Sequence, residues 1–292
     1  MSERLVLNAG DYGLAVQERA ELIMLSDIAG YVGADTCGCL LAIRQDQQEE
    51  ISLMIDIGTN GEMVLGNRER MVTCSTAAGP AFEGAKIECG MRGAAGAVDH
   101  VKYEDGKWNY TTVGNKPAVG LCGSGLIDLV AGLLDAGMLD ENGVLRSGQE
   151  KQGVFILVPP ERGGNERGVY LTQKDLGEVQ LAKAAIAAGI QMLMERLGIT
   201  EDDICSVYIA GAFGNYMDPV SAGKIGLLPA TLVKKVKPVG NAAGEGAKIA
   251  LVNEKEMLEM DELVRKIEFV ELAASADFQD HFIDELGFET GE

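Results

Sequence analysis

The sequence of 292 residues predicts an α/β protein with a mixed β-sheet flanked by helices. Its most regular feature is a run of three strands joined by tight turns, expected as an antiparallel meander at 51–57, 62–66 and 69–75. A long helix is expected to start at Thr172–Asp175, which resembles a capping box, and to end near Leu197. Two further strands, at 206–210 and 233–239, each lead into a glycine-rich turn and a helix, as α/β units do.

The turn after the first strand has the sequence Asp56-Ile57-Gly58-Thr59-Asn60-Gly61-Glu62. Its two glycines permit positive φ and close approach of the backbone to a ligand, so its N–H groups can line a concavity of anion size. We expect phosphate contacts from four residues of the turn: Gly58, Thr59, Asn60 and Gly61. Asp56 is the expected residue for Mg²⁺, which it would hold through water. The alternative is an ordinary hairpin whose glycines only permit the turn.

A second glycine-rich stretch, Gly120–Gly125, enters a helix expected at 126–136, with Ser124 as its N-cap and Gly137 at its end. The unpaired N–H groups and the positive dipole end of such a helix attract anions. The candidates for phosphate binding here are Gly123, Ser124 and Gly125. The alternative is a close contact between helices, which requires small residues.

Small residues also follow the strand at 206–210, where they leave a flat slot for an adenine ring or a ribose. The candidates are Gly211, Ala212, Phe213 and Gly214. The alternative is a plain turn from strand to helix. In the segment Ala77–Gly84, Glu83 is a candidate for orienting a metal-bound or attacking water. The alternative for that segment is a packing surface with a solvated glutamate.

The chain has a net charge of −20, from 25 basic and 45 acidic residues. This charge disfavours nonspecific binding to nucleic acid and to anionic membranes, and a phosphate ligand would need backbone amides and a divalent cation. No apolar stretch reaches about 18 residues and the first residues lack a signal peptide's features, so a cytoplasmic protein is expected. The six cysteines are expected as buried or partly buried thiols, and neither His100 nor His281 has a partner at zinc spacing.

The order of these motifs resembles the actin, sugar kinase and Hsp70 superfamily. It resembles more closely the C-terminal domain of the ATP-dependent reductive activators of corrinoid proteins. The resemblance runs from about residue 20 to the end of the sequence. Seven segments carry it: Val32–Thr36, Asp56–Glu62, Cys74–Gly84, Cys122–Gly125, Leu171–Asp175, Ala210–Asn215 and Gly240–Ala243.

The resemblance implies an RNase H-like fold of the actin and Hsp70 type that binds ATP and Mg²⁺. Residues 51–292 would form the nucleotide-binding domain, with an inserted segment at about 98–170, and residues 1–50 would complete a preceding subdomain. By the same analogy, Asp56–Glu62 would be the second phosphate loop and Ala77–Gly84 a connecting helix. The family's 2Fe-2S domain, expected N-terminal to this sequence, has no counterpart among its cysteines. The chain is therefore expected to be a fragment or one part of a split protein.

The resemblance also implies a function. ATP binding or hydrolysis would drive an uphill electron transfer from the 2Fe-2S cluster to a Co(II) corrinoid on a partner protein, which becomes Co(I). Two alternatives remain open. The chain could be a module that docks the corrinoid protein or forms a homodimer, with vestigial nucleotide loops. It could instead be a small-molecule kinase of the same superfamily.

Overall fold

The computed structural model describes residues 4–146 and 153–288, which contain thirteen strands and eight α-helices. The strands are β1 (Leu5–Asn8), β2 (Glu21–Met24), β3 (Ile51–Ile57), β4 (Gly61–Gly66), β5 (Met71–Thr76), β6 (Ala97–Glu104), β7 (Lys107–Thr112), β8 (Gly120–Leu121), β9 (Val154–Val158), β10 (Val169–Thr172), β11 (Ile204–Ala210), β12 (Val236–Gly240) and β13 (Glu268–Phe269). The helices are α1 (Ala34–Ile43), α2 (Gly123–Asp135), α3 (Gln173–Leu197), α4 (Gly211–Gly214), α5 (Pro219–Lys224), α6 (Ala242–Val252), α7 (Glu254–Val264) and α8 (Ala276–Asp284).

Six strands form the central sheet, in the order β12-β11-β3-β4-β5-β13. The predicted antiparallel meander is present as β3, β4 and β5. Beyond β3 lie β11 and then β12, which run parallel to it, and β13 runs parallel to β5 at the other edge. A meander extended by parallel strands beside its first strand is the RNase H-like arrangement, so the predicted fold class is confirmed.

Helices cover both faces of this sheet because its strands are apolar on both sides. Along β3, Leu53 and Ile55 belong to the core under α3, whereas Met54 belongs to the core under α1, α6 and α7. The same alternation occurs along β4, where Val64 faces the second core. The sheet is therefore the middle of three layers. No helix among the described residues is both long and apolar enough to cross a membrane.

The long helix α3 begins at the predicted capping box. The Thr172 hydroxyl accepts a hydrogen bond from the Asp175 N–H at 3.2 Å, and the Asp175 carboxylate accepts one from the Thr172 N–H at 2.9 Å. The helix ends at Leu197 as predicted, with Gly198 in the left-handed region. Asp175 is buried, and its other oxygen accepts from the Glu88 N–H at 2.9 Å. This contact fixes the segment after β5 against the start of α3.

The chain between β5 and α3 forms two smaller sheets. One of them contains the hairpin of β6 and β7, which β8 extends in parallel. The other consists of β9 and β10, which pair in antiparallel fashion. Residues 147–152, part of the segment predicted as an insertion, lie outside the described residues. Near the N-terminus, β1 and β2 form a separate two-stranded sheet, and α1 packs against α6.

Several predicted elements are wrong in detail. Ala77–Gly84 forms a series of turns and not a connecting helix, with the Ala85 N–H bonded to the Pro80 carbonyl at 3.1 Å. The strand predicted from 233 starts at Val236, after a 3-10 helix that follows Pro229. The fixed φ of proline suits that helix start. The C-terminal helix α8 was not predicted.

Two more corrections concern side chains. The N-cap of α2 is Cys122, so Ser124 lies in the first turn, and its hydroxyl donates to the Asp99 carbonyl at 2.8 Å. Among the cysteines, Cys205 is exposed, against the expectation of burial, whereas Cys89 is partly buried and the other four are buried.

The contact between α1 and α6 depends on two glycines, which leads to a first prediction. A Cβ at Gly246 would overlap the carbonyl oxygen of Gly38. Gly246→Ala should therefore lower the free energy of unfolding by about 1–3 kcal/mol, because the two backbones must separate.

Urea unfolding measures this effect. Gly177→Ala is the matched control, since it lies in α3 and its Cβ would have no neighbour within 4 Å. It should stabilise the chain by about 0.5–1 kcal/mol through helix propensity. Equal stability changes in the two variants would contradict backbone contact as the determinant of this packing.

Candidate functional site

A cavity of about 630 Å³ opens at the carboxyl ends of β3 and β11. The two strands are parallel neighbours, and Ala210 pairs with Asp56 in their register. The turns that follow them therefore meet at one edge of the sheet. The cavity is lined by Asp56, Ile57, Gly58, Phe82, Glu83, Met91, Arg92, Gly93, Asp99, Val113, Gly114, Cys122, Gly123, Ser124, Gly211, Phe213 and Tyr216.

Asp56 lies at the floor of this cavity, half-buried at the end of β3. Burial raises the pKa of its carboxyl group, and the negative charge of nearby Asp35 raises it further. The thiol of Cys39 lies 3.9 Å from Asp56 Oδ2 and acts as a weak donor. Burial raises the pKa of this thiol to about 12, so it is neutral. Ionised Asp56 thus lacks a cationic partner among the described residues.

Gly211 is adapted to this carboxylate. Its φ is +87°, a backbone conformation that residues with a side chain rarely adopt. A Cβ built on it would lie 3.1 Å from Asp56 Oδ1. A residue with a side chain would be strained here and would crowd Asp56 Oδ1.

The turn after β3 divides its residues between the cavity and the sheet. Gly58 lines the cavity, and its N–H donates to the Asn60 carbonyl at 2.9 Å. The Thr59 hydroxyl donates to Glu83 Oε2 at 2.9 Å, which fixes the orientation of that exposed carboxylate. Gly61 is buried in β4, where a Cβ would lie 2.9 Å from Thr76 Oγ1. The absence of a side chain at Gly61 thus serves packing. The cavity is not lined by Thr59, Asn60 or Gly61.

The start of α2 forms another part of the cavity wall. Gly123 and Ser124 line the cavity, and the N-cap residue Cys122 makes no side-chain capping bond. The first N–H groups of this 13-residue helix are therefore available to a ligand. Gly125 instead packs against β6, because its Cβ would overlap the carbonyl oxygen of Val98.

An aromatic pair completes the wall beside Gly123. The rings of Phe82 and Phe213 stack with centroids 5.8 Å apart and planes inclined by 19°. A Cβ on Gly123 would overlap the Phe82 carbonyl oxygen and would lie 2.8 Å from the Phe213 ring. Gly214 packs against Ile209, since a Cβ built on it would lie 2.8 Å from the Ile209 carbonyl oxygen, and it does not line the cavity. Ala212 lies within α4, but its side chain is outside the described part of the structure.

Sequence reasoning missed several lining residues that come from the chain between β5 and α3. They are Met91, Arg92, Gly93, Asp99, Val113 and Gly114. The run Gly90-Met91-Arg92-Gly93 is a signal that could have found the first of them, since glycines bracket a cation there. In the described residues, no group of three or more His, Cys, Asp or Glu side chains is arranged to hold a metal ion.

The environment of Asp56 leads to a second prediction. Asp56→Asn should stabilise the free chain at pH 8, because the variant removes a carboxylate whose ionisation is opposed by burial and by Asp35. The gain should shrink as the pH falls from the raised folded-state pKa towards the ordinary value of 3.8. Below that value the acid is protonated in both the folded and the unfolded chain.

Urea unfolding of both proteins at pH 8 and pH 4.5 measures the change. Glu69→Gln, in the exposed turn between β4 and β5, is the control and should change stability by less than about 0.5 kcal/mol at either pH. A loss of stability in Asp56→Asn at pH 8 would contradict the description of this carboxylate.

Comparison with known proteins agrees with this fold. Residues 50–292 match the family described as the C-terminal domain of RACo, the ASKHA domain. The chain is 36% identical over 96% of its length to the corrinoid activation enzyme RamQ of Eubacterium limosum, of which it covers 50%. It is 29% identical, again over 96% of its length, to the Co(II) methylated amine-specific corrinoid protein reductase of Methanosarcina barkeri, of which it covers 54%.

A solved structure shows the same architecture. The reductive activator for corrinoid, iron-sulfur protein superposes with a TM-score of 0.90 at 38% identity, over 97% of this chain and 47% of that protein. The chain thus spans about half the length of the relatives that it matches. The family match covers the whole central sheet and all the lining residues of the cavity. The chain belongs to the family of RACo C-terminal domains, which are ASKHA domains.

Proposed function

We propose that this chain is the ATP-binding portion of a reductive activator of a corrinoid protein. The observation that carries the proposal is the convergence of Asp56, Gly58, Gly211 and the uncapped start of α2 around one cavity. An RNase H-like sheet with such a cavity at its carboxyl edge suits a nucleotide, because backbone N–H groups and a helix dipole bind phosphate. The corrinoid part of the proposal is supported by the similarity to corrinoid activation enzymes and reductases.

In this proposal, phosphate lies between the turn after β3 and the start of α2. The N–H groups of Gly123 and Ser124 would contact it, and Gly58, whose N–H donates to the Asn60 carbonyl, would let the turn approach it closely. Gly211, Ala212 and Phe213 would border the adenosine, with Phe213 offering an apolar ring surface. The backbone of Thr59 and Asn60 would support the turn, whereas Gly61, Gly125 and Gly214 would act through packing.

Mg²⁺ fits the donor present in the cavity. Asp56 offers oxygen ligands in a half-buried position with no cationic partner among the described residues, and hard divalent cations prefer such oxygens. Asp56 would hold the ion, with water and phosphate completing its shell. The bound ion would supply positive charge to the phosphates. The charge of the ion would also offset the free-energy cost of ionising the half-buried Asp56 carboxyl group.

Glu83 is proposed to position the attacking water. Its carboxylate lies at the cavity wall, and the hydrogen bond from Thr59 leaves one oxygen, Oε1, directed near Gly58. A carboxylate held at a phosphate-binding turn can accept a proton from water or orient it.

For the longer protein, we propose that nucleotide-dependent closure drives one electron from a 2Fe-2S cluster to the Co(II) corrinoid of a partner protein. The cluster would be held by a segment outside this chain. Residues 51–292 would form the nucleotide-binding domain, with about 98–170 inserted, and residues 1–50 would complete a preceding subdomain. Besides binding of the corrinoid protein, we propose that two copies of this chain can form a homodimer.

The third prediction tests nucleotide binding by this chain. Isothermal titration should show binding of Mg·ATP, and Asp56→Ala should weaken it roughly 10-fold or more, because a charged ligand to the metal is lost. Asp202→Ala is the matched control, since this exposed carboxylate precedes β11 at the end opposite Gly211. The control should stay within about twofold of the unsubstituted chain. Absence of Mg·ATP binding by the unsubstituted chain would refute the proposal.

The fourth prediction concerns the activity of a full-length activator that contains this chain. With a reduced 2Fe-2S domain and a Co(II) corrinoid protein, absorbance should report ATP-dependent formation of Co(I). Asp56→Ala should abolish that dependence, whereas Asp202→Ala should retain it. Formation of Co(I) at the same rate without ATP, or with Asp56→Ala, would refute a role for this site in electron transfer.

A further inference from the structure

Arg92 is the basic residue among the cavity's lining residues, which otherwise carry three carboxylates: Asp56, Glu83 and Asp99. Six other arginines pair with acidic side chains: Arg4, Arg44, Arg68, Arg70, Arg146 and Arg196. Arg92 is exposed, and within residues 4–146 and 153–288 no carboxylate lies within ion-pair distance of it. Three other exposed arginines, Arg19, Arg162 and Arg167, also have no carboxylate within ion-pair distance in the described parts of the chain, but none of them lines the cavity.

The backbone before Arg92 is held firmly beside the start of α2. Gly90 forms a parallel bridge with Leu121, and the Met91 N–H donates to the Leu121 carbonyl at 2.8 Å. Gly84 packs on Met91 so closely that a Cβ would lie 2.5 Å from the Met91 carbonyl oxygen. From this bridge both chain segments continue into the cavity wall, one to Arg92 and the other to Cys122 and Gly123.

This arrangement combines two features that favour an anion. The start of α2 offers N–H groups and the positive end of the helix dipole. Arg92 adds a full positive charge with a planar fork of donors, which matches the oxygens of a phosphate group. The charge also offsets the acidic surroundings, because a chain of net charge −20 repels a polyphosphate from a distance.

We propose that Arg92 is a phosphate-binding residue of this cavity, which acts together with the N–H groups at the start of α2. The inference rests on the proposed nucleotide function and extends it to a side chain from the segment between β5 and α3. Arg92 binds the polyphosphate and makes no contribution to recognition of the nucleoside.

The fifth prediction separates these contributions. Displacement of a fluorescent ATP analogue, with Mg²⁺ present, gives affinities for ATP, inorganic tripolyphosphate and adenosine. Arg92→Gln should weaken ATP and tripolyphosphate roughly 10- to 100-fold, as expected for a lost hydrogen bond to a charged group, and leave adenosine within about twofold. Arg92→Lys, which keeps the charge without the fork, should recover part of the loss.

Arg68→Gln is the matched control, because Arg68 lies in the turn at the opposite end of the β4–β5 hairpin. It should bind all three ligands like the unsubstituted chain. Equal ATP affinity in Arg92→Gln and the unsubstituted chain would overturn the assignment while leaving the proposed function intact. So would an equal loss for ATP and adenosine, which indicates a structural role. An unsubstituted chain that does not bind ATP would refute the proposed function itself.

Discussion

The candidate site depends on the parallel pairing of β3 with β11. This pairing places Ala210 opposite Asp56, so the turns that follow the two strands open on the same edge of the sheet although about 150 residues separate them. The Asp56 carboxylate and the glycine turn at Gly211 can then share one cavity. The two helical layers stabilise the pairing, because the strands bury apolar side chains on both faces. A different neighbour for β3 would remove the site without changing any of its residues.

The cavity uses backbone more than side-chain charge. A Cβ at Gly211 would crowd Asp56, and a Cβ at Gly123 would crowd the aromatic pair. The absence of side chains at these two positions therefore keeps the cavity open. Carboxylates outnumber basic side chains among the lining residues. An anionic ligand in such a cavity requires helix N–H groups, a divalent cation and Arg92 to balance the charge. Binding of an anion at this site thus depends on where the fold leaves hydrogen-bond donors without a partner.

Local patterns predicted much of the fold. The meander and the capped helix α3 follow from periodicity and turn chemistry, which act within a few residues. Lining residues of the candidate site were predictable where a motif lies at the end of a sheet strand or directly after it, as at Asp56, Gly58 and Gly211. Arg92 was not, because its position depends on the bridge between Gly90 and Leu121, which periodicity does not encode. The opposite error occurs where sequence analysis assigns a motif glycine to a ligand. Such a glycine can instead serve close packing of the protein itself, as at Gly61, Gly125 and Gly214.

The central claim is that two separated glycine turns and the start of α2 form one nucleotide site. Backbone amide NMR spectra of the chain, recorded during titration with Mg·ATP, test it most directly. The signals of Gly58, Gly123 and Gly211 should shift together along one saturation curve, while that of Gly177 in α3 should stay unchanged. Shifts confined to one of the three glycines, or to residues remote from this cavity, would contradict the account.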